Sequence, residues 1–329
     1  MAKTTMRDVA KHAQVSVATV SHVINDTRFV SDETRARVLN SIEELGFRPN
    51  AMARIFKTGR KNLIGFIVPD IANDFFATII EEIESVIATA NYKLIIVNTK
   101  ETIAQEIEGI KTLANGIVDG LIVASTCERY TEWSHFIPDE LPLILIDRCL
   151  PGAPYDSIAI SDYDALHQGM EILARGGHRR IGYIAGLSRL STTHERLSAY
   201  KNALTSFQLP VDENLICYGD SMSKSAIVHV AELLKLGCTA LVVSNNIMTR
   251  DVLSYLHEKN IHVGSDFDIV GYQDGMQNDF FLRKIHVVKQ PVVQLGRSAG
   301  QLMLERIQSP AAPVKEKILQ STFSARGNS

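Results

Sequence analysis

Three short segments near the start of the chain carry apolar residues at helical spacing. The inward positions are Val9, Ala10 and Ala13 in residues 6–13, Val20, Val23 and Ile24 in residues 17–24, and Val38, Ile42 and Leu45 in residues 32–45. Ser16 and Ser31 precede the second and third segments as candidate caps, and Gly46 is expected to end the third. Two short helices joined by about three residues are typical of a helix–turn–helix, although the periodicity alone also suits an ordinary three-helix bundle.

Beyond this head, continuous apolar runs alternate with helical segments. Such runs suit the buried strands of a parallel sheet, and the alternation predicts a doubly wound α/β architecture. The rhythm restarts after about residue 160, which indicates two similar lobes with a ligand cleft at their strand ends. The predicted strands are residues 63–68, 93–98, 120–124, 143–147, 181–185, 214–218, 240–244 and 267–271, and the predicted helices are residues 75–89, 103–115, 130–137, 163–175, 194–207, 223–236 and 246–259.

Composition excludes several classes of protein. Hydrophobic residues make up 45% of the 329 residues and charged residues 22%, which excludes disordered and fibrous chains. No apolar run approaches the ~18 residues of a membrane span. The first eight residues lack the apolar region of a secretory signal, so we expect a cytoplasmic protein. The four cysteines form no CxxC pair, so a disulfide framework, a metal site and a cofactor are not expected.

The charge is distributed unevenly along the chain. Residues 1–61 contain eleven basic and six acidic side chains, a net charge of +5, whereas the whole chain carries −3. The remaining residues therefore carry −8. A basic head on an acidic body indicates an anionic partner for the head, and nucleic acid is the natural candidate.

The residues themselves carry a specific resemblance. Residues 6–25, 30–35 and 46–54 resemble the headpiece of the lactose-repressor (LacI) family nearly residue for residue. Further family signatures lie in the body, at residues 69–76, Asp147-Arg148, residues 177–182, Gly271-Tyr272 and Gln290-Pro291. The resemblance implies a helix–turn–helix headpiece (1–48), a hinge helix and linker (49–61), and a type I periplasmic-binding-protein-like sensor (62–329). Lobe one would span about 62–161 and 292–324 and lobe two about 162–291, with crossings near 161–163, 291–293 and 323–325.

The family also implies which residues contact DNA. The second helix lies in the major groove, so Val17, Ala18 and His22 are expected at base edges, with Arg28 as a further base reader. The residues expected to position phosphates are Ser16, Thr19, Ser21 and Asn25. A short hinge helix containing Ala53, Phe56 and Lys57 is expected to fold on DNA. Phe56 stands where the family inserts a leucine into the minor groove, and phenylalanine is also a known wedge.

Strand ends and family positions together predict the effector pocket. Its expected members are Asn73, Phe75, Phe76, Asp147, Arg148, Arg196, Asn245, Asn246, Gln273 and Asp274. Asn246 and Gln273 replace carboxylates that the family uses, which leaves Arg148 and Arg196 available for an anion such as a sugar acid or sugar phosphate. A neutral sugar is the alternative if Asp274 takes over the missing carboxylate. Leu190 and Ser221 replace purine-recognising side chains, so a purine is not expected.

The sequence favours a regulator over an enzyme. It contains no GxSxG, P-loop or GxGxxG motif, and neither His-Glu pair has the second histidine of HExxH. The expected mechanism is a homodimer that binds a pseudo-palindromic operator under the control of a small molecule. An enzyme or a transport component on the same two-lobe fold is the alternative, and operator binding distinguishes them.

Overall fold

The computed structural model describes residues 4–25, 28–47, 60–273 and 285–326. The chain divides into two compact units, Met1–Lys61 and Asn62–Ser329. Among the described residues, no helix combines the length and the apolar character that crossing a bilayer requires.

In the described part of the first unit, three helices surround a small apolar core. Val9, Val20 and Val38 are fully buried at its centre, as the spacing predicts. The helices are α1 (Met6–His12), α2 (Val17–Asn25) and α3 (Asp32–Glu44).

The two predicted caps of the head differ in outcome. Ser16 caps α2, because its Oγ accepts a hydrogen bond from the backbone N–H of Thr19 at 3.0 Å. The prediction for Ser31 is wrong in detail. Ser31 occupies the N-cap of α3 without a side-chain cap bond, because its hydroxyl donates to Thr34 Oγ1 at 2.9 Å instead. Gly46 follows α3 at φ +56°, a conformation that glycine adopts without the steric cost of a Cβ.

The second unit contains two six-stranded sheets, and the order of strands differs from their order along the chain. The first sheet has the order β11-β5-β4-β3-β1-β2 and the second has β12-β10-β9-β8-β6-β7. Every pairing is parallel except that of β10 with β12. The strands are β1 (Leu63–Val68), β2 (Lys93–Asn98), β3 (Gly120–Val123), β4 (Leu143–Asp147), β5 (Asp156–Ser161), β6 (Ile181–Ala185), β7 (Ile216–Tyr218), β8 (Ala240–Val243), β9 (Asp268–Gln273), β10 (His286–Lys289), β11 (Glu316–Gln320) and β12 (Thr322–Ser324).

Helices cover both sheets, so the central strands are apolar on both faces, as in other doubly wound folds. β1, β4 and β6 have the predicted bounds because each is a continuous apolar run. The helices of this unit are α4 (Asp74–Ala88), α5 (Ile103–Ala114), α6 (Tyr163–Arg175), α7 (Ser191–Ser206), α8 (Ser225–Lys235), α9 (Asn246–Glu258) and α10 (Val292–Gln308).

Two sequence expectations about the body require correction. The helix expected over 130–137 consists of two single 3₁₀ turns, Tyr130–Glu132 and Ser134–Phe136, which meet at the fully buried Trp133. The third crossing between lobes lies at Ser321, because β11 ends the first sheet and β12 joins the second. Residues 322–324 therefore belong to lobe two. Their short polar sequence gives no hydrophobic signal that would locate the boundary.

A buried ion pair anchors the end of α10 to the first sheet. Arg306 donates from Nε and Nη2 to the two carboxylate oxygens of Asp156, each at 2.7 Å. The Asp156 side chain is 1% exposed and that of Arg306 is 10% exposed. Removing one partner would leave a desolvated charge unpaired.

We predict that Arg306→Met lowers the free energy of unfolding by about 3 kcal/mol, because the Asp156 carboxylate loses its counterion. Urea denaturation measures the change. The matched control is Arg175→Met, which removes an exposed i,i+4 pair with Glu171 and should change stability by less than about 1 kcal/mol. Equal losses in the two variants would contradict the prediction.

Candidate functional site

One face of α2 is directed away from the core of the head unit. Val17 is 42% exposed and Ala18 is also exposed, whereas Val20 and Val23 are buried on the opposite face. Ser21 and His22 follow Val17 and Ala18 by four residues, on the same face of the helix, and they are half-buried. Exposed apolar side chains beside polar ones match what contact with a thymine methyl and a purine edge requires.

The structure describes only some of the other predicted DNA-binding residues. Ser16 and Thr19 hydroxyls lie 2.8 Å apart at the start of α2, and Arg28 is exposed after α2. Asn25 is the last residue of α2, but its side chain does not belong to the part of the chain that the structure describes. The three predicted hinge positions, Ala53, Phe56 and Lys57, lie outside the described residues.

A polar cleft of about 590 Å³ lies within the second unit, at the carboxyl ends of strands from both sheets. This is the position at which open α/β sheets bind ligands. Asn73, Phe75, Phe76, Asp147, Arg148, Arg196, Asn245 and Asn246 all line it, so the structure brings together these eight predicted positions. Gln273 is the last residue of β9, with its side chain outside the description, and Asp274 lies outside the described residues.

Arg148 is not a free cation, contrary to the sequence expectation. Its Nη1 and Nη2 donate to Glu101 at 2.9 and 2.6 Å, which makes a bidentate pair. Its Nε lies 3.7 Å from Asp147 Oδ2 and has no hydrogen-bond partner among the described residues. Burial alone would lower the pKa of the Arg148 guanidinium, but Glu101 more than offsets this and the pKa is raised. The Nε–H of Arg148 is therefore the donor that this side chain has left for a ligand.

Asp147 ends β4 in a conformation that is rare for a residue with a side chain. Its φ is +62°, and the N–H of Arg148 donates to the carbonyl of Ile146 across it at 2.6 Å. This three-residue turn with positive φ is a strained one, and such strain concentrates at functional sites. Burial raises the pKa of the Asp147 carboxyl to about 6, although Arg148 and Arg196 oppose the shift.

Arg196 is also paired. Its Nε donates to Asp162 Oδ2 at 2.6 Å and its Nη1 to the carbonyl oxygen of Ser244 at 2.6 Å. Its guanidinium lies 4.5 Å from the ring centre of Tyr272. Burial opposes the charge, yet the Asp162 carboxylate raises the pKa of Arg196 well above its ordinary value. Arg196 therefore stays charged with its charge compensated.

Asp162 lies where the chain first crosses between lobes, between β5 and α6. It also accepts a hydrogen bond from the hydroxyl of Ser321, the residue of the third crossing. Its side chain is only 1% exposed. One buried carboxylate thus joins two crossings to the arginine of the cleft.

The amide side chains cap helices and bridge the cleft. Asn73 Oδ1 accepts from the N–H of Phe75 at 3.1 Å and from Nδ2 of Asn246, in the other lobe, at 2.7 Å. Asn245 Oδ1 caps α9 by accepting from the N–H of Met248 at 2.8 Å. These contacts place the polar groups that line the cleft on helix N-termini, where they are held rigidly.

A second bridge between the lobes involves Arg189. This side chain donates to the carbonyl oxygens of Thr126 at 3.1 Å and Glu101 at 2.9 Å. Arg189 precedes α7 of lobe two, whereas both acceptors belong to lobe one. The cleft is therefore closed over by direct contacts in this structure.

Phe75 and Phe76 serve the core as well as the cleft. Their rings meet edge to face with centres 5.0 Å apart, and they are 5% and 3% exposed within the core of lobe one. The Arg148 guanidinium lies 5.8 Å from the ring centre of Phe76. Both readings of Phe76, a core aromatic and a wall of the pocket, therefore apply.

Several residues of the cleft are not among those expected from the sequence. Glu101 follows β2 and Asp220 follows β7, so the position after a strand end was the signal that could have found them. Leu190 and Ser221, at the positions where purine-recognising side chains were expected, also line the cleft. The lining residues that were not predicted are Gly186, Leu187, Thr192, Thr193, Ser244 and Gln290.

The chain is similar to known regulators over nearly its whole length. A family profile described as bacterial regulatory proteins, lacI family, matches residues 5–50, and a periplasmic binding protein-like domain matches residues 170–328. The chain is 31% identical over 308 residues to the HTH-type transcriptional repressor PurR of Vibrio atlanticus, covering 92% of each chain. It is 29% identical over 324 residues to the ribose operon repressor of Haemophilus influenzae, covering 98% and 97%.

Solved structures of transcriptional regulators have a similar fold. The Lac repressor bound to ONPG in the repressed state matches with a TM-score of 0.83 and 25% identity over all of both chains. The complex of the transcriptional regulator CelR with cellobiose matches with a TM-score of 0.73 and 26% identity over 99% and 100%. A helix–turn–helix head followed by a two-sheet sensor fold defines a DNA-binding transcriptional regulator. The chain belongs to the lacI family of bacterial regulatory proteins.

The raised pKa of Asp147 predicts a pH dependence of stability. In the fold this carboxyl keeps its proton up to about pH 6, whereas in the unfolded chain it loses the proton near pH 3.9. The folded state binds more protons across this window, so the contribution of Asp147 to stability falls as pH rises and the loss is complete above pH 6.

Asp147→Asn removes this penalty. We predict that the unfolding free energy of the variant, measured relative to the original protein, is higher at pH 7 than at pH 4 by about 2–3 kcal/mol. Urea denaturation of both proteins at the two pH values tests this. A difference that does not change with pH would show that Asp147 titrates normally.

Proposed function

We propose that this regulator is a repressor that acts as a homodimer, with one headpiece on each half-site of a pseudo-palindromic operator and a small-molecule effector in the cleft. One observation carries the proposal: side chains from both lobes line the cleft and bond to each other across it. A ligand that enters must therefore replace or rearrange contacts between the lobes. Nothing in this arrangement requires bond-making chemistry, which supports a sensor rather than an enzyme.

The roles on the DNA follow from the exposed face of α2. Val17, Ala18 and His22 read base edges, with Arg28 beside them. Ser16, Thr19, Ser21 and Asn25 bond phosphates and fix the register of the helix in the groove. The hinge roles of Ala53, Phe56 and Lys57, including the minor-groove wedge at Phe56, rest on the family resemblance.

The chemistry of the cleft favours a neutral sugar over an anion. A sugar acid or sugar phosphate would be favoured if the guanidinium groups of Arg148 and Arg196 were available, as the sequence suggests. Each guanidinium carries a carboxylate within 2.6 Å, and Glu101, Asp147 and Asp220 also line the cleft. An added anion would have to displace these carboxylates or face them. Alternating hydroxyl, amide and carboxylate groups suit the many hydroxyls of a neutral sugar.

Control of DNA binding follows from the crossings. A sugar hydroxyl that bonds to Arg196 acts on the Asp162 carboxylate, which lies at the first crossing and also bonds Ser321 at the third. A change in the angle between lobes is thereby coupled to occupancy of the cleft. The effector shifts the equilibrium only by its difference in affinity for the two arrangements of the lobes.

The base-reading roles predict a selective loss. His22→Ala and Arg28→Ala should each weaken binding to the operator by about 1–3 kcal/mol and change binding to random DNA little. The operator is obtained by gel shift with promoter DNA from the protein's own locus, and affinities are compared at one salt concentration.

Arg37→Ala is the matched control, because it removes one exposed cation from α3 rather than from the vicinity of α2. Its effect should be the same on the operator and on random DNA. If His22→Ala and Arg28→Ala behave as this control does, they contact phosphates or nothing, and the assignment of base readers fails.

The effector class is tested by a thermal-shift panel. Neutral pentoses, hexoses and disaccharides are compared with sugar acids and sugar phosphates, since a ligand at 100 times its dissociation constant stabilises the fold by about 2.7 kcal/mol. We expect a neutral sugar to raise the melting temperature. Stabilisation by acids or phosphates alone would restore the anion hypothesis.

Two variants show whether the panel reports on the cleft. Arg196→Ala should abolish the shift and the effector's influence on operator binding, and it should also lower the melting temperature without ligand, because the buried Asp162 carboxylate loses its counterion. His22→Ala should keep the full thermal shift, because it lies in the other compact unit. A shift that survives Arg196→Ala would place the effector elsewhere.

A further inference from the structure

Three side chains with different ligand chemistry converge at the edge of the second sheet, away from the effector cleft. Cys217 lies on the edge strand β7, and His229 and Glu232 lie on α8, three residues apart. The thiol sulfur, an imidazole nitrogen and a carboxylate oxygen all lie within 4.8 Å of one another. His229 Nδ1 is 3.6 Å from Glu232 Oε2.

The imidazole is already oriented as a ligand. His229 Nε2 lies 3.0 Å from the carbonyl oxygen of Tyr218, so the Nε2–H donates to the backbone and the neutral ring carries its lone pair on Nδ1. This Nδ1 is buried and has no hydrogen-bond partner among the described residues. Histidines that bind metals usually donate their second N–H to a carbonyl or a carboxylate, which fixes the tautomer. A buried acceptor without a partner costs free energy, and a cation would remove that cost.

We propose that Cys217, His229 and Glu232 form a Zn²⁺ site, with water as the fourth ligand. A tetrahedral zinc ion places S, N and O ligands about 3.3–3.6 Å apart. The His229–Glu232 pair is already close to this separation at 3.6 Å, and all three atoms lie within 4.8 Å of one another, so a small side-chain adjustment brings them to zinc-ligand spacing. Glu232 is 57% exposed and free to make that adjustment.

The charge and the donor set both suit zinc. A thiolate and a carboxylate neutralise the two charges of the ion, and the thiol proton is released to solvent on binding. Ca²⁺ and Mg²⁺ bind through oxygen, whereas mixed sulfur, imidazole and carboxylate ligands suit Zn²⁺. The four cysteines form no disulfide, so the Cys217 thiol is available.

Zinc at this position would join the two ends of a loop that reaches the cleft. Residues 219–224 connect β7 to α8, and Asp220 and Ser221 of this loop line the cleft. The loop contains Lys224 at φ +58°, an uncommon conformation for a side-chain-bearing residue. A metal bridge from Cys217 to His229 would restrict this loop and so couple zinc to the shape of the pocket.

Isothermal titration of the untagged full-length protein with Zn²⁺ alone, after chelator treatment, tests the site. We expect one zinc ion per chain. Cys217→Ser, His229→Asn and Glu232→Gln should each weaken binding by at least about tenfold. Co²⁺ as a second probe should give a thiolate-to-metal charge-transfer absorption that Cys217→Ser removes. Neither operator nor sugar is present, so the outcome is independent of the proposed function.

Two control variants test specificity. Cys149→Ser removes another partly exposed thiol. His262→Asn breaks the exposed ion pair between His262 and Asp266, which resembles the pair between His229 and Glu232. Both should bind Zn²⁺ and Co²⁺ as the original protein does. Melting temperatures without metal should agree among all variants, and only the three ligand variants should lose the rise that Zn²⁺ produces.

Three results would overturn the site. The first is no stoichiometric binding of Zn²⁺. The second is binding that Cys217→Ser and His229→Asn leave unchanged, and the third is a Co²⁺ complex without thiolate absorption. If a substitution at Cys217 or His229 unfolds the chain, the exposed Glu232→Gln variant decides: unchanged zinc affinity in that variant refutes the proposed ligand set.

Discussion

The buried ion pair between Arg196 and Asp162 is the contact on which the rest of the sensor depends. Both side chains are withdrawn from water, and neither charge would be tolerated there without the other. Asp162 belongs to the crossing between β5 and α6, and Arg196 belongs to α7 and faces the cleft. The positive charge of Arg196 in the cleft therefore requires the negative charge of Asp162 at the crossing between the lobes. Any ligand that engages Arg196 competes with a contact that defines how the lobes are joined.

The same constraint explains the polarity of the whole cleft. Arg148 lies opposite Arg196 and is neutralised by Glu101, with Asp147 nearby. The desolvation of each arginine is therefore offset locally by a carboxylate partner of its own. This arrangement is the basis for the proposal that the cleft recognises a ligand by the direction of its hydrogen bonds and not by its net charge.

The sequence predicts strands that contain a continuous apolar run and misses strands whose apolar residues are few or alternate with polar ones. β1, β2, β4 and β6 have the predicted bounds, because continuous apolar runs identify them. β11 has one buried residue in five, β5 alternates buried and half-buried positions over six residues, and β10 and β12 have only four and three residues, so none of them contains a long apolar run. The eight predicted positions in the cleft follow from strand ends and family motifs. Their pairing does not, because Glu101 is 47 residues from Arg148 and 34 residues separate Asp162 from Arg196.

The exceptions to the ordinary folding rules are informative about function. A chain optimised only for stability would not expose Val17, twist Asp147 to positive φ, bury Arg196, or leave His229 Nδ1 without a described partner. Exposure of Val17 to water costs little free energy in the head. It becomes favourable only when Val17 packs against another apolar surface, such as a thymine methyl. At the cleft between the two lobes, Asp147 has a strained backbone conformation and Arg196 carries a buried charge. His229 follows the same logic on the outer edge of the second sheet. Its ligand-like orientation escapes a motif search because Cys217 comes from a strand and the other two ligands from a helix. Spacing along the chain detects sites built on one element, whereas this cluster exists only once β7 and α8 have packed together.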